Sequence, residues 1–222
     1  STDGGQTWRN INSTMEQRLL FGIPGAIAFS PNHATDHTVF VSKLYPWALA
    51  RSSNDGAWWE RADSGIPLND IVYMSISPNF ANDGTIFGAS ASSGIFRSTN
   101  RGAQWQAVNT GLSNLTMTQV EVSPNFVNDR TVFAGSDGGG VSKSTDGGAT
   151  WQPASNGLTN YSIRDLVISP NYANDQTLFV PTSVGIFRST NGAASWTLIK
   201  THYSIKSMAL APYYAQDGTV YA

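Results

Sequence analysis

Asp63, Asp70, Glu121, Asp137 and Asp165 are the carboxylates of this 222-residue chain that fall outside its repeated positions and could do acid–base chemistry. Glycosidic hydrolysis needs two such groups facing one another, one as acid and one as base or nucleophile. Asp70 and Asp165 sit where a strand is about to begin, and the plainer reading of both is a solvated loop or turn residue. His33 and His37 are four residues apart, but they share a turn with Asn32 and Asp36, and no further ligands follow at a suitable spacing. Gly138-Gly139-Gly140 leads into a strand rather than a helix, so it does not cradle phosphate. With His33, His37 and His202 as the only histidines, no Ser-His-Asp set stands out. These residues imply neither a metal nor a cofactor.

The frame that must position such groups is neutral and loop-rich. Only 13% of the residues are charged, and the formal net charge is −2. A general electrostatic pull toward nucleic acid or anionic membrane is therefore not expected. The absence of cysteine excludes disulfides, thiolate metal sites and thiol nucleophiles. No apolar run is long enough for a membrane span. The start at Ser1 carries neither an initiator Met nor a signal peptide and reads as that of a mature or excised fragment. Hydrophobic residues make up 40% of the chain, enough for a substantial core despite the abundance of Gly, Ser, Thr and Asn.

Two units repeat in register. The first has eight residues and begins at Ser1, Ser52, Ser98, Ser144 and Ser189, at spacings of 51, 46, 46 and 45. Its fourth copy reads Ser144-Thr145-Asp146-Gly147-Gly148-Ala149-Thr150-Trp151. The second unit is fullest in Ser77-Pro78-Asn79-Phe80-Ala81-Asn82-Asp83-Gly84-Thr85. Each of its copies carries an Asp (36, 83, 129, 175, 217) two residues before a Thr. Between the markers lie four short β-type segments per period, in the second period Ile71–Ser77, Thr85–Ala89, Gly94–Ser98 and Gln104–Val108. A repeat of about 46 residues with four antiparallel strands indicates a propeller blade. The expected fold is an all-β propeller of five such repeats, forming a single domain over residues 1–222.

The third position of the eight-residue unit decides what the unit is for. It is Asp3 and Asp146 in two copies but Asn54, Asn100 and Asn191 in the others. Asp and Asn share an oxygen that accepts turn N–H groups, not a charge, so the residue is structural. Trp8, Trp59, Trp105, Trp151 and Trp196 close the units and are expected to pack against the hairpin and the next blade. The basic residues before four of the units (Arg51, Arg97, Lys143, Arg188) are expected to pack their stems and lift their heads to solvent. The recurrent Asp of the second unit is expected to cap a turn rather than bind calcium.

The eight-residue unit resembles the Asp-box, or bacterial neuraminidase repeat, and the resemblance covers the whole chain. Sialidases, sortilin-type receptors, xyloglucanases and photosystem II assembly factor-like proteins share that repeat on β-propellers. The pairing with the Ser-Pro-Asn unit is most similar to uncharacterised bacterial repeat proteins of the assembly-factor-like type. The sialidase resemblance implies a Phe/Tyr-Arg-Ile-Pro motif, a Tyr nucleophile with a Glu partner, and a separate Asp acid. Here Phe21-Gly22-Ile23-Pro24 has glycine where the carboxylate-binding arginine belongs. Glu16, Glu60 and Glu121 are the only glutamates, and none stands in a recognisable context. The xyloglucanase resemblance implies two propellers around a cleft, more than this length supplies.

If blades are scaffold, function lies where they differ. Lys43–Leu49 contains Tyr45 and Trp47 where other blades are small and polar, and Trp58 replaces a small polar residue of its unit. Tyr45, Trp47 and Trp58 form the candidate recognition surface for a protein or glycan. The resulting expectation is a non-catalytic, rigid recognition or assembly scaffold, secreted or held at the cell surface or periplasm. A glycoside hydrolase or its degenerate relative is one alternative, and a unit of an extracellular polymer is another. Counting from Tyr221, a sixth unit would begin at about residue 231. The closing blade would thus take strands one and two from residues 205–222 and strand four from Thr7–Ile11, and lack strand three. Otherwise the chain is a piece of a longer propeller. The incomplete blade offers a route to self-association.

Overall fold

A computed structural model of the chain describes residues 5–7, 25–44, 47–67, 70–201 and 205–222. Four blades of four antiparallel strands follow one another, and each has a one-turn helix between its first and second strands. Blade 1 comprises β1 (Ile27–Phe29), α1 (His33–Asp36), β2 (Val39–Leu44), β3 (Trp47–Ser52) and β4 (Glu60–Arg61). Blade 2 comprises β5 (Ile71–Ile76), α2 (Phe80–Asp83), β6 (Ile86–Ser90), β7 (Gly94–Ser98) and β8 (Gln106–Ala107). Blade 3 comprises β9 (Met117–Val122), α3 (Phe126–Asp129), β10 (Val132–Ser136), β11 (Gly140–Ser144) and β12 (Gln152–Pro153). Blade 4 comprises β13 (Val167–Ile168), α4 (Tyr172–Asp175), β14 (Leu178–Pro181), β15 (Gly185–Ser189) and β16 (Thr197–Thr201). β17 (Ala209–Leu210), α5 (Tyr214–Asp217) and β18 (Val220–Tyr221) open a fifth blade as a two-stranded sheet. Among the described residues no helix is long and apolar enough to cross a membrane.

The fold is a β-propeller. First strands of successive blades touch one another, β1 with β5, β5 with β9 and β13 with β17, and so lie innermost. The fourth strands of blades 1 to 3 have only two residues each, shorter than the sequence pattern implies. The expected first two strands of the closing blade appear as β17 and β18. The fourth strand expected for it lies mostly outside the described residues, as do Ser1, Asp3 and Trp8.

The repeated polar residues hold turns. In the second unit Ser77 Oγ donates to Asp83 Oδ2 (2.6 Å), while Asp83 Oδ1 accepts from the Thr85 N–H (2.8 Å). The same pair of bonds recurs at Asp36, Asp129 and Asp175. In the eight-residue unit Asn54, Asn100, Asp146 and Asn191 each accept from their Ser hydroxyl and from the N–H four residues on. The serine oxygen in turn accepts from the N–H of the fifth residue, as from Gly148 at 2.8 Å. These bonds use the oxygen common to Asp and Asn.

The core is a series of layers between blades rather than one centre. Trp105, Trp151 and Trp196 donate their indole N–H to Ala62, Val108 and Ala154 carbonyls of the preceding blade, at 2.7–2.8 Å. Their backbone N–H groups bond Ser64, Thr110 and Asn156 on the same preceding segments. An edge-to-face aromatic pair joins each neighbour: Phe40–Phe80, Phe87–Phe126, Phe133–Tyr172 and Phe179–Tyr214. Such pairs contribute about 0.5–1.5 kcal/mol beyond their burial. Of the basic residues of strand three, Arg188 is exposed as expected and the other three differ. Arg51, Arg97 and Lys143 donate to Arg101, Gly147 and Gly192 carbonyls in the next blade's unit. These heads latch blades together because the turn presents a carbonyl within reach of the stem.

Gly148 ties turn and layer together. Its φ is +84°, and an added Cβ would lie 2.7 Å from Phe87 of the preceding blade. The fifth copy has Ala193 there and holds it at φ 68°. Gly148→Ala should lower unfolding free energy by about 3 kcal/mol, combining left-handed strain with overpacking, as read by urea denaturation. Asp146 is held at about 2 by hydrogen bonds from the Thr150 hydroxyl and N–H and from Ser144. Its contribution is complete above the ordinary carboxylate range and fades as pH falls through about 2. Asp146→Asn should keep neutral-pH stability within about 0.5 kcal/mol, as expected of a surface change, and remove that acid sensitivity in the same denaturation assay.

Candidate functional site

Where the blades differ most in chemistry is the inner wall. Aligned on Ser30, Ser77, Ser123, Ser169 and Ala211, the position four residues earlier is Ala26, Tyr73, Gln119, Asp165 and Ser207. Two residues earlier it is Ala28, Ser75, Glu121, Val167 and Ala209. Residues two apart on a strand share a face, so these positions form two tiers around the axis. Blades 2, 3 and 4 place polar groups there, and blades 1 and 5 place small ones.

These groups converge. The Tyr73 hydroxyl donates to Glu121 Oε1 at 2.7 Å, and Ser75 Oγ donates to Oε2 at 3.2 Å. The Val122 N–H donates to Ser75 Oγ (3.1 Å), so blades 2 and 3 are cross-linked at this point. Asp165 Oδ2 accepts from the Met208 N–H (2.7 Å) and Ser207 Oγ (3.0 Å), and Oδ1 accepts from the Leu166 N–H (2.9 Å). Gln119 lies between them, 8% exposed, with Nε2 directed at the Arg164 carbonyl at 3.5 Å. Tyr73, Gln119, Glu121, Asp165, Lys206 and Ser207 border a cavity of about 350 Å³. Among the described residues no arginine lines it.

Burial dominates the electrostatics. It pushes the Glu121 carboxyl up to about 7, against the hydrogen bonds from Tyr73 and Ser75 and with reinforcement from Asp165. Burial, followed by the charge of Glu121, also raises Tyr73 well above the usual phenol range. Tyr73 therefore stays a neutral donor. Glu121 exchanges its proton near neutrality, the range in which a carboxyl can serve as acid, base or ligand for a cation.

The other candidate carboxylates lie elsewhere. Asp70 accepts from Ser90 and Ser92 (3.0 Å), and although burial opposes ionisation these bonds hold it below its ordinary value. Asp70 and Asp165 are not equivalent, since Asp165 aligns with Tyr73. Asp63 pairs with Arg61, and Asp137 accepts from the Ser162 hydroxyl. His33 and His37 both bridge to Asp55, at 3.0 and 2.9 Å, and among the described residues no group of three is arranged for a metal. Of the aromatic surface, Trp58 is 57% exposed. Trp47 begins β3 opposite Leu44, its side chain lies outside the description, and Tyr45 lies wholly outside the described residues. The Glu121–Tyr73 pair escaped sequence reading, although the in-register alignment of first strands carried its signal.

No family model and no curated protein matches the chain. Solved structures do. The GH74 enzyme of Niastella koreensis superposes with a TM-score of 0.66 at 20% identity, covering 86% of this chain and 32% of that one. A one-component-system extracellular domain from B. thetaiotaomicron gives 0.59 at 14% identity, covering 78% and 22%. YCF48 bound to D1 peptide gives 0.60 at 14% identity, covering 86% and 60%. At these identities the likeness is one of fold. The chain spans about a third of the GH74 enzyme.

Glu121 is ionised in the unfolded chain above the ordinary glutamate value of 4.5 but stays protonated in the fold up to about 7. The fold binds the extra proton, so this stabilisation is complete at low pH and is lost as pH rises through about 7. Between pH 5 and pH 8 the wild type should lose on the order of 2–3 kcal/mol relative to Glu121→Gln, measured by urea unfolding at both pH values.

Proposed function

We propose that the chain is an Asp-box β-propeller module, a single domain over residues 1–222, that recognises a protein or glycan partner outside the cytoplasm without catalysing a reaction. The observation carrying this reading is the division of labour among polar residues. The repeated Ser, Asp and Asn side chains are engaged in their own turns, and the latch residues Arg51, Arg97 and Lys143 in holding blades. What varies is the inner wall and exposed Trp58, while Tyr45 and the Trp47 side chain, the other members of the proposed recognition set, lie outside the described residues. YCF48, one structural neighbour, was solved with a bound peptide, and another neighbour is a sensor's extracellular domain. Those roles fit a rigid binding scaffold, and they favour a secreted, cell-surface or periplasmic setting.

A glycoside hydrolase is the second reading, favoured by Tyr73, Glu121 and Asp165 bordering one cavity. The sialidase resemblance implies a Tyr–Glu pair, and Tyr73 with Glu121 makes one. Among the described residues the cavity lacks the arginines that would bind a sialate carboxylate, and this weighs toward recognition. Self-association is a third reading. It draws on the two-stranded last sheet and on exposed Ile27, Phe29 and Tyr221.

Trp58→Ala should weaken glycan-array or partner binding at least tenfold, the loss typical of an aromatic anchor, and leave the melting temperature unchanged. Wild-type protein should release no chromophore from xyloglucan-oligosaccharide or sialyl reporters. Turnover silenced by Glu121→Gln would establish the hydrolase instead.

A further inference from the structure

The inner-wall cavity has an excess of acceptors. Gln119 Oε1 is buried and has no hydrogen-bond partner. An unpaired buried amide oxygen costs about 1–3 kcal/mol, and among the described residues none donates to it. Glu121 and Asp165 border the same cavity. Each of their oxygens that accepts one bond retains capacity for another, since a carboxylate offers about four acceptor sites. Against these three groups the described lining residues supply one cation, Lys206, which is exposed beside Ser207. Val167, Ala209 and Met208 contribute apolar wall.

These features select a ligand chemistry. A donor-rich cation would satisfy the orphan amide oxygen and both carboxylates, whereas an anion would meet acceptors alone. The volume of about 350 Å³ is at the low end for ligand pockets, roughly 300–1,000 Å³. It suits one side chain better than an oligosaccharide. A guanidinium presents five N–H donors on an aliphatic stem, matching polar acceptors set in an apolar wall.

We propose that this cavity binds the guanidinium of an arginine side chain carried by a peptide partner, with Gln119 Oε1, Glu121 and Asp165 as its acceptors. The proposal rests on the recognition reading and supplies its ligand chemistry. Glu121 is faced by Tyr73 and Ser75 from β5 and by Asp165 from the segment before β13, and Lys206, from the segment before β17, borders the same cavity. Protonating Glu121 removes one negative acceptor, so binding strengthens from pH 5.5 to pH 8.

The test is isothermal titration of the whole chain with N-acetyl-arginine methylamide and with its neutral isostere, N-acetyl-citrulline methylamide. The arginine probe should bind at least tenfold more tightly at pH 8, and the preference should shrink at pH 5.5. Gln119→Leu should lose at least tenfold in affinity while melting no lower than wild type, because it removes an unpaired buried group. Glu121→Gln should lose a similar factor, and Lys206→Ala should gain affinity. Equal binding of the two probes, no binding of either, or full affinity in both Gln119→Leu and Glu121→Gln would overturn the proposal. Failure of the arginine probe alongside intact Trp58-dependent binding would remove this site and leave the recognition reading standing. Sugar release dependent on Glu121 would overturn the recognition reading itself.

Discussion

The contact on which the structure depends is the docking of Trp105, Trp151 and Trp196 each into the blade before it. A four-stranded blade cannot bury both faces alone, so its stability comes from its neighbours. Trp151 shows how the docking works. Its indole and backbone N–H groups both bond the segment that leaves blade 2, and Gly111 lies so close that a Cβ would sit 2.1 Å from the Trp151 carbonyl. The edge-to-face aromatic pairs and the Arg51, Arg97 and Lys143 latches repeat across the same interfaces. The spacings of 46, 46 and 45 between later units reflect that shared geometry.

With the interfaces held at the hairpins and outer strands, the first strands are free to vary on their inner side. Tyr73, Gln119, Glu121 and Asp165 occupy corresponding tiers in three blades, yet no two blades place the same pair there. Blades stacked side by side also fix distances between such groups. Glu121 is kept under Tyr73 and Ser75 and near Asp165, and the surrounding protein raises its proton affinity to about 7. A flexible loop would have relaxed the carboxylate into water.

Much of this was legible in the residues. Register between the two units set the blade count, and Asn54, Asn100 and Asn191 beside Asp146 identified a capping oxygen rather than a charge. Arg188 is exposed as expected, but Arg51, Arg97 and Lys143 were misread, because their acceptor carbonyls belong to units about 50 residues onward, such as Gly147 for Arg97. Trp58 stood out by departing from its own repeat, and it is exposed.

Sequence by itself determined the propeller, its period, the turn-holding roles of the repeated polar residues and the absence of thiol chemistry. Those are local properties: each is stated within one repeat and confirmed by the next copy. Tertiary structure alone decided that Tyr73 meets Glu121 across 48 residues, that Asp165 joins their cavity while Asp70 turns to Ser90 and Ser92, and that Gln119 keeps an unpaired oxygen there. The physical reason is that the inner wall is assembled from one strand of each blade. Its chemistry exists only after the blades have stacked.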